Sequence, residues 1–181
     1  MKVFAVRHGQ TEWNVERRIC GISDIPLTIR GTEQASALAA SLSDAKIDLV
    51  ISSPLIRARL TAEILSDAIG KAYVVEDRLT EQNYGKYEGV KRDDAGFLEA
   101  KKHFPSKLSG GESLLQVAQR VYNLLDAIVV KYKGMHVLLV THGGICRMIH
   151  SYFNEQSNEE YFGFHTGNCE LRSYEVKASE V

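Results

Sequence analysis

Short apolar runs punctuate this chain at intervals, and amphipathic stretches separate them. Val3 to Val6 is the first run and reads as a buried strand. Gln10 to Leu27 is polar, contains Gly21 and Pro26, and reads as a long loop. Thr28 is placed to cap a helix whose Ala35, Leu38, Ala39 and Leu42 fall at helical spacing. Leu49-Val50-Ile51 gives a second strand. Ser53-Pro54 then reads as a helix start, with Ser as N-cap and Pro at the first helical position. That helix carries Ala58, Ala62, Leu65 and Ile69 on one face and stops at Gly70. Ala72 to Val75 is a third strand.

From Arg78 to Gly111 strand pattern fades, and a short helix is expected around Asp93 to His103. Ser113 and Gln116 form a capping box for a long helix to about Tyr132, with Val117, Val121, Leu124 and Ile128 as its buried stripe. His136 to Val140 is a further strand, followed by Thr141-His142-Gly143-Gly144 and a helix through about Phe153. A second short helix follows Asn158, and Glu170 to Val176 alternates as a last, more exposed strand. Strands alternating with helices predict a single domain over residues 1–181: a three-layer α-β-α sandwich on a mostly parallel sheet.

Composition narrows the field. At 44% hydrophobic and 25% charged, the chain affords a sizeable core. Its formal net charge of −1 gives no electrostatic footprint for nucleic acid or an anionic membrane. No apolar run reaches membrane-spanning length, and the chain opens on a strand rather than on a secretory signal. Three scattered cysteines, Cys20, Cys146 and Cys169, fit reduced thiols in a cytoplasmic protein.

The chemistry sits at two strand ends. One reads V-R-H-G, through Arg7 and His8; the other reads V-T-H-G, through His142. In a parallel sheet both ends lie on one edge, where open α/β folds keep their ligands. Neighbouring strands would therefore set His8 and His142 in one crevice. Gly143-Gly144 opens a helix, whose N-terminus suits an anion. The helix after the second strand brings Arg57 and Arg59 in its first turns. Cations at Arg7, Arg57 and His142 would together suit a tetrahedral dianion. One close charge pair near a surface is worth about 4 kcal/mol before desolvation, so several are needed to offset phosphate hydration.

These residues resemble the histidine phosphatase superfamily, in its phosphoglycerate mutase-like branch. R-H-G-x-T-x-W-N is present as Arg7, His8, Gly9, Thr11, Trp13 and Asn14. G-x-x-D-x-P-L-T-x-x-G-x-x-Q-A runs from Gly21 to Ala35, and S-S-P-L-x-R-A-x-x-T-A-E from Ser52 to Glu63. E-x-x-Y-G-x-x-E-G runs from Glu81 to Gly89, G-G-E-S from Gly110 to Ser113, and T-H-G-G from Thr141 to Gly144.

The resemblance implies that His8 is the nucleophile and becomes a phosphohistidine. It makes Arg7, Arg57 and His142 the holders of the phosphoryl oxygens. Glu81 becomes the proton donor to the leaving alcohol and then the base for water. Asn14, Gly21 and the Gly143 backbone would line the phosphate pocket. Tyr84 fits equally a packed loop aromatic and a substrate contact. Arg59 is left to a structural salt bridge. A metal face at His142, Cys146 and His150 lacks a carboxylate to complete it, so neither metal nor cofactor is expected. His103, His136 and His165 read as surface or structural residues. Lys101, Lys102 and Lys107 read as a solvated face, with a smaller chance of meeting a second anionic group on the substrate.

The family's mutases carry an insertion between the catalytic Glu segment and the second histidine, with extra arginines. Here that stretch is short, Lys91-Arg92 is the nearest approach to an Arg-Arg pair, and Glu112 belongs to the G-G-E-S form common in phosphatases. Tyr84 leans the other way, since phosphatases commonly carry Phe there. The expectation is hydrolysis of a small phosphorylated metabolite by a monomer or homodimer. Phosphoglycerate mutase activity is the runner-up, and a non-catalytic phospholigand-binding module is a third reading.

Overall fold

A computed structural model describes residues 1–42 and 45–176. Its strands are β1 (Lys2–Arg7), β2 (Leu49–Ser52), β3 (Tyr73–Val75), β4 (Val137–Thr141) and β5 (Leu171–Glu175). Its α-helices are α1 (Glu12–Val15), α2 (Ile29–Ser41), α3 (Ile56–Ile69), α4 (Ala95–Ala100), α5 (Leu114–Lys131), α6 (Gly143–Phe153) and α7 (Asn158–Gly163). The strands form one sheet in the order β3-β2-β4-β1-β5. All pairings are parallel except that of β5 with β1.

Alternation along the central strands explains the three layers. Val3, Ala5, Val137 and Leu139 point into one core with Val121, Leu125 and Ile145 of α5 and α6. Val6, Leu138 and Val140 point the other way, against Ala39, Ala58, Ala62 and Leu65 of α2 and α3. Strands apolar on both faces are what a sheet covered on both sides requires. The expected α/β sandwich is therefore the observed fold.

Local signals mostly act as read. Thr28 accepts the Gly31 N–H as the α2 cap. Ser113 and Gln116 close a reciprocal capping box on α5. Gly70 ends α3 in the left-handed conformation at φ 66°. Two readings need correction. The loop from Gln10 to Leu27 contains a helical turn, α1, held by a Thr11–Asn14 capping box. Ser53 is not a helix cap either: α3 begins at Ile56 with Leu55 in the cap position and no side-chain cap bond. The Ser53 hydroxyl instead faces an imidazole of the site.

Candidate active site

β1 and β4 are neighbours in register, and the His8 N–H continues the ladder to the Thr141 carbonyl at 2.9 Å. That register sets both imidazoles just past the carboxyl edge of the sheet, with ring centroids 5.2 Å apart. His8 is only 3% exposed. Its Nδ1 lies 2.7 Å from the Gly9 carbonyl oxygen. A carbonyl only accepts, so Nδ1 carries the proton and the lone pair stands on Nε2. Burial first, then the Arg57 and Arg7 cations, hold this imidazole well below the usual histidine range. His8 is thus a neutral base with one nitrogen fixed and the other available.

His142 is fully buried between Arg57 and Ser53. Arg57 Nε–H donates to its Nδ1 at 3.2 Å, which leaves Nε2–H to donate to Ser53 Oγ at 2.7 Å. Burial, Arg57, His8 and Arg7 keep it neutral as well. Arg57 is itself fully buried on the first turn of α3. Its Nη1 donates to the Ser23 carbonyl at 2.7 Å and its Nη2 to the Gly21 carbonyl at 2.6 Å. A guanidinium has five N–H groups, so two remain after these contacts and the bond to His142.

Gly21 therefore stands elsewhere than the sequence reading put it. It is not on the cavity wall; its carbonyl positions Arg57, and its N–H goes to Glu88 Oε2 at 3.1 Å. Arg57 and His142 likewise stand behind the wall rather than in it. Arg59 is exposed and forms no ion pair among the described residues, so it has no structural salt bridge.

A cavity of about 510 Å³ opens in front of His8. Arg7, Asn14, Glu81, Tyr84 and Gly143 line it, five of the expected site residues. Arg7 Nη1 donates to the Thr166 carbonyl at 2.9 Å, while its buried Nε has no partner among the described residues. The Asn14 amide oxygen accepts from Thr11 N–H and from Asn168 Nδ2, at 3.2 and 3.1 Å. Asn168 also donates to the His8 carbonyl at 2.9 Å, and no sequence pattern marked it.

Glu81 is 4% exposed, with Oε2 accepting the Gly144 N–H at 2.8 Å and Oε1 its neighbour Gln82 N–H at 2.9 Å. The carboxylate thus occupies one donor of the α6 N-terminus and leaves Gly143 facing the cavity. Glu112, bidentate with Arg120 at 2.8 and 3.0 Å, accepts the Asn83 N–H and braces the Glu81 segment. Tyr84 lines the cavity and packs edge-on against Phe97.

The model of the histidine phosphatase superfamily (branch 1) matches residues 3–181. The chain belongs to that superfamily. Among curated relatives, phosphoglycerate mutase-like protein 4 of Arabidopsis thaliana is 39% identical, covering 82% of this chain and 69% of its own. The probable phosphoglycerate mutase GpmB of Escherichia fergusonii is 37% identical, covering 79% of this chain and 70% of its own. Among solved structures, a mycobacterial glucosyl-3-phosphoglycerate phosphatase complexed with VO3 superposes with a TM-score of 0.86. It is 29% identical and covers 95% of this chain and 91% of that one.

In this member of the superfamily the cavity wall also holds what the sequence reading undervalued. Lys101, expected on a solvated face with Lys102 and Lys107, lines the cavity, and so do His103 and His165, expected as surface or structural residues. Arg92 and Arg147 line it too. Arg147 lies one turn beyond Gly143 on α6, and the four-residue spacing is the signal that could have found it. His136 is structural, its Nδ1 accepting the Lys2 N–H at 3.1 Å.

Proposed function

We propose that the protein hydrolyses a small phosphomonoester through a phosphohistidine on His8. One observation carries this reading: a buried, neutral imidazole with Nδ1–H tied to the Gly9 carbonyl and Nε2 unprotonated, beside Arg7 and a carboxylate at the same cavity wall. The Nε2 lone pair attacks phosphorus as the bond to the leaving oxygen breaks, and Glu81 in its acid form protonates that oxygen. Glu81, now a carboxylate, takes a proton from water as that water attacks phosphorus. The N–P bond breaks, and inorganic phosphate leaves with His8 restored. Arg7 and the Gly143 N–H meet the equatorial oxygens, where charge spreads in the transition state. Arg57, positioned by neutral His142, reinforces that field from behind, and Asn14 adds its amide donors.

The nucleophile and the positive field both come from side chains, so this reading needs neither metal nor cofactor. Three unpaired thiols support a cytoplasmic setting. Hydrolysis of p-nitrophenyl phosphate in EDTA should continue in the wild type and vanish in His8→Ala. Equal rates in the two proteins would remove His8 from the mechanism.

Relatives named as phosphoglycerate mutases support a second reading, phosphoryl transfer between the two hydroxyls of phosphoglycerate. The short stretch between Glu81 and His142 supports hydrolysis instead. Offering 3-phosphoglycerate separates them: release of phosphate is expected, and efficient isomerisation would overturn the phosphatase reading.

A further inference from the structure

Asn168 stands on the turn that leads into β5, the one antiparallel strand of the sheet among the described residues. Pairing of β5 with β1 carries that turn over the end of β1, where Arg7 and His8 follow one another. The turn is closed by its own bonds: Gly167 N–H donates to Glu170 Oε2 at 2.6 Å, and Glu170 N–H to the Gly167 carbonyl at 3.2 Å. Cys169 takes the left-handed conformation at φ 55°, which residues other than glycine adopt uncommonly. The turn grips the end of β1 through side chain and backbone alike. The Thr166 carbonyl accepts from Arg7 Nη1 at 2.9 Å, Cys169 N–H donates to the Arg7 carbonyl at 2.8 Å, and Asn168 Nδ2 donates to the His8 carbonyl at 2.9 Å.

Asn168 also reaches across to the loop after β1, where the same nitrogen donates to Asn14 Oδ1 at 3.1 Å. Polarity fixes both amides. A carbonyl only accepts, so the Asn168 group facing His8 is the NH₂. A backbone N–H only donates, so the Asn14 group facing Thr11 N–H, at 3.2 Å, is the oxygen. The two hydrogens of Asn168 Nδ2 therefore serve the His8 carbonyl and Asn14 Oδ1. Asn14 Oδ1 is taken by two donors, while Asn14 Nδ2 has no partner among the described residues. Asn14 lines the cavity in front of His8, so that nitrogen is the group it can offer an anion there. A reversed amide would meet a phosphoryl oxygen with a lone pair instead.

We propose that Asn168 is a positioning residue for phosphate recognition. It holds the Asn14 amide with its nitrogen available to the phosphoryl group and ties that amide to the backbone of the nucleophile. This deepens the phosphatase reading and rests on it. Asn168 touches no reacting atom; it acts through Asn14.

Calorimetric binding of inorganic phosphate tests this without turnover. Asn168→Ala removes the bond but leaves Thr11 N–H to hold Asn14, so affinity should fall about threefold. Asn168→Asp keeps the shape but sets acceptors against two acceptors. Asn14 must then turn its nitrogen to the new carboxylate and its oxygen to the cavity, and affinity should fall about thirtyfold. A merely structural asparagine would give the reverse order, since the isosteric change disturbs packing least. Both changes are repeated in the Asn14→Ala background. There Asn168→Ala should cost about twofold at most, and Asn168→Asp much less than in the wild type. If Asn168→Ala melts below the assay temperature, Asn168→Asp in the two backgrounds decides. Losses as large without Asn14 as with it would assign the effect to charge or packing and overturn the proposal. So would an Asn168→Asp protein that binds phosphate as tightly as the wild type. Hydrolysis of p-nitrophenyl phosphate separates the two readings. The expected binding pattern in a wild type without turnover would keep the role of Asn168 and sink the phosphatase reading. Turnover without that pattern would overturn the role of Asn168 alone.

Discussion

Arg57 donates its Nε–H to Nδ1 of His142 at 3.2 Å, so the most buried cation of the site is matched to a neutral imidazole rather than to a carboxylate. Its other bonds go to the carbonyls of Gly21 and Ser23. Arg57→Met would orphan two buried acceptors and one part-buried one, each buried one worth about 1–3 kcal/mol when left unpaired. A loss of about 3 kcal/mol or more is expected in urea denaturation, together with a fall in kcat of about 10²-fold from the missing positive field. Arg57→Lys keeps the charge but replaces a planar fork by a point, so it should recover part of the stability and less of the rate.

The two buried imidazoles link stability to pH. In the folded protein His8 and His142 are both held well below the usual range, by burial first and the arginines next. In the unfolded chain they take up protons below about pH 6.5. The unfolded state therefore binds more protons on the acid side. Stability is whole above about pH 6.5 and falls as pH drops towards the folded values, by up to about 1.4 kcal/mol per unit for each imidazole. Urea midpoints at pH 7 and pH 5.5 should show this, and His8→Ala should flatten the slope. Activity runs the opposite way to intuition: neutral His8 survives acidification, so no acid limb near pH 6.5 is expected from it in kcat/KM.

Glu88 reaches the chemistry through the loop it clamps. Its carboxylate accepts from the Gly21, Ile22, Ser23 and Tyr84 N–H groups and from Ser23 Oγ. The carbonyls of Gly21 and Ser23 are the ones that hold Arg57. Glu88→Gln puts an NH₂ where only acceptors fit. It should cost about 1–3 kcal/mol and lower kcat/KM. Combined with Arg57→Lys, the two losses should add to less than their sum, since both act on one clamp. Full additivity would uncouple Glu88 from Arg57.

Much of this was legible because the information is local. V-R-H-G and V-T-H-G end two apolar strands, and a parallel pair brings such ends together by geometry alone. Thr28, Ser113 and Gly70 act within a few residues of where they stand. What escaped depends on long-range partners. Ser53 looks like a helix cap until His142 arrives from 89 positions away to take its hydroxyl. Gly21 looks like a phosphate-loop glycine until Glu88 and Arg57 claim both of its backbone groups. Arg57 and Arg59 are indistinguishable by type; the helix buries one and exposes the other. Lys101 caps the end of α4 and Arg147 lies on α6, so no local pattern shows that both line one cavity.

Gly144 offers a way to move Glu81 without deleting it. A Cβ at Gly144 would come 2.5 Å from Glu81 Oε1, closer than real Cβ contacts allow, and 3.2 Å from Oε2. The backbone there is first-turn helix, where Ala is favoured over Gly by up to about 1 kcal/mol, so Gly144→Ala should stay folded. The carboxylate must give way, losing its bond to the Gly144 N–H and its aim at the leaving oxygen. The loss in kcat should approach that of Glu81→Gln, about 10²–10⁴-fold for a displaced general acid and base. The double variant Gly144→Ala, Glu81→Ala separates position from bulk. With the carboxylate gone, the methyl has room, and Gly144→Ala should then change kcat little further. If the methyl costs as much in that background as in the wild type, it acts on the phosphate site itself and not through Glu81.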